Sequence, residues 1–333
     1  MTEAIESRQV ITVAAGGVRL RGTYHKPRGE ASDSSADPGE RKRIGVIFLT
    51  WILPRAGNGD SAVYWAESLA KCGYLAFRFD LPGLGDSDGD LATPGIDVET
   101  GAYGSALSEI ANQLVERFHL GAVIVAGNCA GAVTALYAAA ANEWIKGLIL
   151  LDPYFHTQQD SPAQKVLLHW HVRVIKLAGD RFAQSKPGDI AVKLLSRFRG
   201  IYHRLSQKPL LVRRKTLPSI ANLPLIRCWK QLAARRVRML VLRSPSSTPR
   251  IGEFDYLGFL QPSSNSDDRI IIKLIERATH AFAESHGKEA VRTNAAQWLS
   301  AYFPLTRCAE TRDNRRHLPT ITEGILGAVT NVH

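Results

Sequence analysis

From residue 44 to residue 151 short apolar runs alternate with longer amphipathic stretches. The runs at 44–49, 74–79, 123–126 and 146–151 are apolar almost without interruption, the pattern of strands buried on both faces. The intervening stretches 61–72, 97–118 and 129–141 read as helices, the first ended by Gly73. This βαβα order predicts an α/β fold with a mostly parallel, doubly wound sheet covered by helices on both sides. Upstream, 9–14 and 18–25 read as two antiparallel strands joined at Gly16-Gly17, where glycine accepts the positive φ of a tight turn. The connection 27–43 has almost no apolar residue and reads as a surface loop.

The alternation lapses at Asp152-Pro153 and resumes with a strand at 237–242, another at 270–275 and a closing helix at 288–303. Four segments follow. Residues 1–152 and 237–304 form the two parts of the sheet core, 153–236 an inserted helical cap, and 305–333 a polar tail. The cap is helical in tone but punctuated by Pro187, Pro209, Pro218 and Pro224.

Composition adds a soluble, globular character: 45% of the 333 residues are hydrophobic and both charge signs are present. No apolar run approaches the roughly 20 residues that span a bilayer, and MTEAIESRQ lacks the profile of a signal peptide, so a cytoplasmic location is expected. Cys72, Cys129, Cys228 and Cys308 are far apart and form no metal-ligand spacing, which implies reduced thiols and no metal or cofactor. The net charge of +11 is concentrated: residues 153–236 hold 17 Lys and Arg against Asp160, Asp180 and Asp189, while the rest of the chain is slightly acidic. Such a field suits an acidic acyl carrier protein, the phosphates of a coenzyme A thioester or an anionic membrane surface, unless it is only a solvated face. The mixed apolar and basic stretch 166–176 has the character of an interfacial helix. Nucleic acid is the least supported partner, because no nucleic-acid-binding signature accompanies the charge.

The candidate chemistry sits at Gly127-Asn128-Cys129-Ala130-Gly131, between a buried strand and a small-residue helix. A strand, a tight turn flanked by glycines and a helix lift a nucleophile above a sheet. A helix N-terminus favours the thiolate form of a cysteine, and the Ala130 N–H would face a developing oxyanion. A lone cysteine is otherwise a small buried hydrophobe; the strand–turn–helix setting favours the nucleophile.

With this elbow, the stretch Asp80-Leu81-Pro82-Gly83-Leu84-Gly85-Asp86-Ser87 and the late Ala278-Thr279-His280-Ala281-Phe282, residues 9–152 and 237–303 resemble the α/β-hydrolase superfamily. The cysteine elbow is similar to that of dienelactone hydrolases and polyhydroxyalkanoate synthases. The resemblance implies hydrolysis of an ester, thioester or lactone through an acyl-enzyme on a small-molecule acyl substrate, with acyl transfer or a non-catalytic ligand-binding member as alternatives. His280 is then the base, since it comes last in the chain order of this fold, with His286 its rival. An acid usually follows the strand at 237–242, but Arg243-Ser244-Pro245-Ser246-Ser247-Thr248 stands there. Asp255 is the first choice and Asp152 the alternative. The oxyanion loop is also unusual: Thr50-Trp51-Ile52 replaces the family's His-Gly, leaving a backbone donor from Trp51 or Ile52. Gly57-Asn58-Gly59-Asp60-Ser61-Ala62 fits a dinucleotide-binding pattern with Asp80 downstream, but residues 50–56 separate it from its strand, which argues against a nucleotide.

Overall fold

Strands whose side chains are apolar on both faces can only be buried between two helical layers. The computed structural model shows this arrangement and describes residues 8–27, 43–50, 53–90, 94–157, 216–248, 254–260 and 268–305. Its eight strands are β1 (Arg8–Ala15), β2 (Val18–His25), β3 (Arg43–Leu49), β4 (Leu75–Phe79), β5 (Leu120–Asn128), β6 (Ile145–Leu151), β7 (Arg238–Arg243) and β8 (Ile270–Leu274). They form one sheet in the order β1-β2-β4-β3-β5-β6-β7-β8. The β1–β2 and β2–β4 pairs are antiparallel and the rest parallel.

Alternate residues of each central strand face opposite layers. Val123, Val125, Leu148 and Leu150 pack with α3 (Ala102–Phe118), α4 (Ala130–Ala141) and α5 (Leu223–Ala234). Ile124, Ala126, Ile149 and Leu151 pack with α1 (Ser61–Lys71) and α7 (Ser285–Tyr302). Two short helices, α2 (Pro94–Thr100) and α6 (Tyr256–Leu260), complete the set among the described residues.

Three expectations are corrected. The helix expected over 97–118 is two helices, broken at Gly101. Gly101 has φ 83°, and a Cβ there would lie 2.8 Å from the Tyr137 ring. Cys129 precedes α4 instead of starting it, with φ 54° and ψ −113°. Pro224 does not interrupt a helix but opens α5, where a missing N–H costs nothing; the Asn222 side chain caps that helix by accepting from Leu225 N–H at 3.1 Å.

The segment 153–236 therefore contains the crossover helix of the parallel β6–β7 connection, since Leu225, Ile226, Trp229 and Leu232 of α5 belong to the sheet core. Excursion and return meet at a narrow neck: Thr157 N–H donates to Ile220 O at 2.8 Å and Asn222 N–H to Phe155 O at 2.9 Å. Residues 158–215, which carry most of the expected cap and its charge, lie outside the described residues, as do most of the loop 27–43 and the tail beyond Leu305.

Candidate active site

The chain runs from β3 outward to β4 and then back across to β5, so the direction of winding switches between β3 and β5. In open α/β sheets, ligands bind at the carboxyl ends of strands beside such a switch. Cys129 stands there, at the end of β5. Its N–H donates to Leu151 O at 2.9 Å, and its carbonyl accepts from Ala132 and Val133 N–H at 3.0 and 3.2 Å. The flanking glycines make room for this turn. A Cβ on Gly127 would meet Gly131 O at 2.3 Å, and one on Gly131 would meet Leu49 O at 2.8 Å. As the first residue of α4, Ala130 has an N–H with no acceptor inside the helix, which suits it to receive an oxyanion.

His280 lies in the loop between β8 and α7, with 49% of its side chain exposed. Its Nδ1 is 2.9 Å from Asp152 Oδ2, and Cys129 lies close enough to act on the imidazole electrostatically. These two neighbours, Asp152 first and then Cys129, push the imidazole up to about 10 against the opposing effect of burial. At neutral pH the proton rests on His280, beside the Asp152 carboxylate.

The carboxylate in contact with His280 is Asp152, at the end of β6, and not Asp255. Asp152 is buried, with φ 46°. Its Oδ1 accepts from Ser244 N–H at 2.7 Å and from the Ser247 hydroxyl; Oδ2 accepts from the Ser244 hydroxyl at 2.5 Å and faces His280. Four donors match the four lone-pair sites of an ionised carboxylate. The serine-rich run after β7, where an acid was expected, thus serves the acid of the neighbouring strand. That run was the available signal: hydroxyls clustered where a carboxylate is missing. Asp255 instead accepts from Gly258 N–H at 3.1 Å and lies 3.9 Å from Arg243.

The remaining candidates separate clearly. His286 sits on the first turn of α7 and donates from Nε2 to Arg277 O at 2.9 Å. Trp51 and Ile52 lie outside the described residues. Asp80 is fully buried and accepts from Arg55 N–H, the Arg55 guanidinium and Asp86 N–H, so it has no place for a ribose. Sequence reasoning passed over Asn128, whose side-chain amide reaches Ala281 O at 3.4 Å and so joins the elbow to the histidine loop.

A cavity of about 620 Å³ opens on this site, with Asp152 and His280 in its wall. Tyr154, His156, Phe254 and Tyr256 line it with Arg243 and Asp255. Among the described residues no group of His, Cys, Asp and Glu is arranged to hold a metal ion, and no helix is long and apolar enough to cross a membrane.

A model of the serine aminopeptidase S33 family matches residues 59–246, a span that includes Cys129 and Asp152. An esterase from Pyrococcus furiosus shares the fold at 13% identity and TM-score 0.53, over 88% of this chain and 90% of that one. A ferulic-acid-bound protein from Butyrivibrio proteoclasticus does so at 15% identity and TM-score 0.51, over 88% and 99%. A malate-bound thermophilic esterase from Thermogutta terrifontis is similar at 18% identity and TM-score 0.50, over 88% and 98%. No curated protein sequence matches the chain significantly.

Proposed function

Because the chain belongs to the serine aminopeptidase S33 family of α/β hydrolases, we propose that it hydrolyses a carboxylic ester, thioester or lactone through an acyl-enzyme on Cys129. The observation that carries this reading is the imidazole of His280, bonded to the buried carboxylate of Asp152 in a loop that Asn128 ties to the elbow bearing Cys129. Sulfur replaces the serine of the family's name without loss of the chemistry, since a thiol beside a base is a strong nucleophile.

In this mechanism the Cys129 proton has passed to His280, and the thiolate Sγ attacks the carbonyl carbon while the carbonyl π pair moves onto oxygen. The Ala130 N–H stabilises that oxyanion. His280 gives its proton to the departing oxygen or sulfur, and the carbonyl re-forms as a thioester to Cys129. A water then adds to the thioester while its proton passes to His280. Collapse of the second tetrahedral intermediate releases the acid and restores the starting pair. Asp152 stays ionised throughout and orients the imidazole, the role a buried carboxylate plays in a triad.

The free thiols Cys72, Cys129 and Cys228 suit a reducing, cytoplasmic setting. The positive charge of 153–236 supports delivery of the substrate by an acidic carrier, a coenzyme A thioester or an anionic surface, which predicts binding weakened by salt.

The test is intact-mass analysis after incubation with activated esters and acyl thioesters. An acyl adduct in the wild type that is absent in Cys129→Ala is expected. No adduct, together with ester turnover that survives Cys129→Ala, would overturn the assignment.

A further inference from the structure

We propose that the acyl group processed at Cys129 carries an aromatic ring, seated against a wall formed by Tyr154, His156, Tyr256 and Phe254. The inference rests on the reading of Cys129 as the acyl carrier and names the class of substrate that the site accepts.

The wall starts beside the catalytic pair. Tyr154 follows Asp152 by two residues, and both line the cavity together with His280. From there the rings succeed one another into the cavity. Tyr154 and His156 have centroids 5.4 Å apart, His156 and Tyr256 6.3 Å, and Tyr256 and Phe254 4.8 Å at 66°. All four line the cavity into which His280 also faces.

Ring pairs at these separations attract through offset and edge-to-face geometry. A further ring placed among them gains the same contacts, whereas an alkyl chain gains only burial. The wall is also firmly backed. Phe155 lies behind Tyr256 at 6.1 Å and packs edge-on against Trp229 at 5.4 Å, and both Phe155 and Trp229 are 1% exposed. A wall fixed in this way loses little freedom when a ligand binds. The cavity volume of about 620 Å³ lies in the range of sites that enclose small molecules.

The experiment compares p-nitrophenyl hydrocinnamate with p-nitrophenyl hexanoate, which share a leaving group and differ in the ring. Wild-type kcat/KM is expected to favour hydrocinnamate by about tenfold or more. Tyr256→Leu and Phe254→Leu should each reduce that preference to about threefold or less. In parallel, binding of free hydrocinnamate and hexanoate to Cys129→Ala is measured by calorimetry, which reads the pocket without the reaction. Turnover with no ring preference overturns the aromatic site and leaves the role of Cys129 intact. Ring-selective binding to Cys129→Ala without any wild-type turnover sustains the aromatic site and overturns the reaction. Equal binding of the two acids, or a preference for hexanoate, overturns the proposal whatever the turnover, and the wild-type measurements decide even if a leucine variant fails to fold.

Discussion

Cys129 holds a left-handed φ that a residue with a Cβ seldom adopts, and such conformations cost on the order of 1–3 kcal/mol. The surrounding backbone fixes it through one bond to β6 and two to α4, and the two glycines let those elements approach. Gly127→Ala forces a Cβ onto the backbone of Gly131, which no rotamer change can relieve. It should destabilise the protein by about 1–3 kcal/mol or more in urea denaturation and slow alkylation of Cys129. Gly95→Ala is the control. That glycine lies in α2, has open space where a Cβ would sit, and should be neutral or stabilised by up to about 1 kcal/mol. Equal effects of the two substitutions would show that the elbow is not sterically closed.

Between elements, the acid site is a joint between β6, which carries Asp152, and the loop after β7, which supplies Ser244 and Ser247. Ser244→Ala keeps the backbone donor but removes a hydroxyl bonded to a buried carboxylate, a loss of about 1.5–3 kcal/mol in stability. Asp152→Asn removes the largest of the influences that raise His280. Its imidazole, followed by NMR against pH, should fall back toward the ordinary value near 6.5, whereas in Ser244→Ala it should stay raised. A His280 titration unchanged by Asp152→Asn would separate the two residues. This joint also explains what the sequence could show. Strands buried on both faces announce themselves as unbroken apolar runs, so β3 to β7, the helices α1 and α4 and the elbow at Cys129 were legible, whereas α5 was read into the inserted cap. A carboxylate's role depends on which loops fold over it, and Asp152 meets its donors only across more than ninety residues of chain. Asp255 stood nearer along the sequence, but its own turn and Arg243 take it up. The break at Gly101 was hidden for a similar reason, because it answers to Tyr137 on a different helix.

For the whole molecule, the bonds of His280 to Asp152 and of Ala281 to Asn128 tie the loop before α7 to the ends of β6 and β5, and the raised imidazole couples folding to pH. The folded imidazole titrates near 10, and the unfolded one near its ordinary 6.5. Below 6.5 both states carry the proton, and the stabilisation is fully present. Between 6.5 and about 10 the unfolded chain releases its proton while the folded one keeps it, so stability falls as pH rises. Above about 10 the contribution is gone. With half of the imidazole exposed, solvent screens the contacts and the effect is modest in size, but its window is fixed by the two titrations. Other groups also titrate in that range on a chain of net charge +11, so the quantity to measure is the difference in unfolding free energy between wild type and His280→Ala. Charges common to both proteins cancel in that difference. It should be constant below pH 6, shrink steadily from pH 6.5 to 10 and level off beyond. A difference that stays flat across this interval would mean that His280 is not held against the Asp152 carboxylate in solution, and the acid–base role assigned to it would fall with that contact.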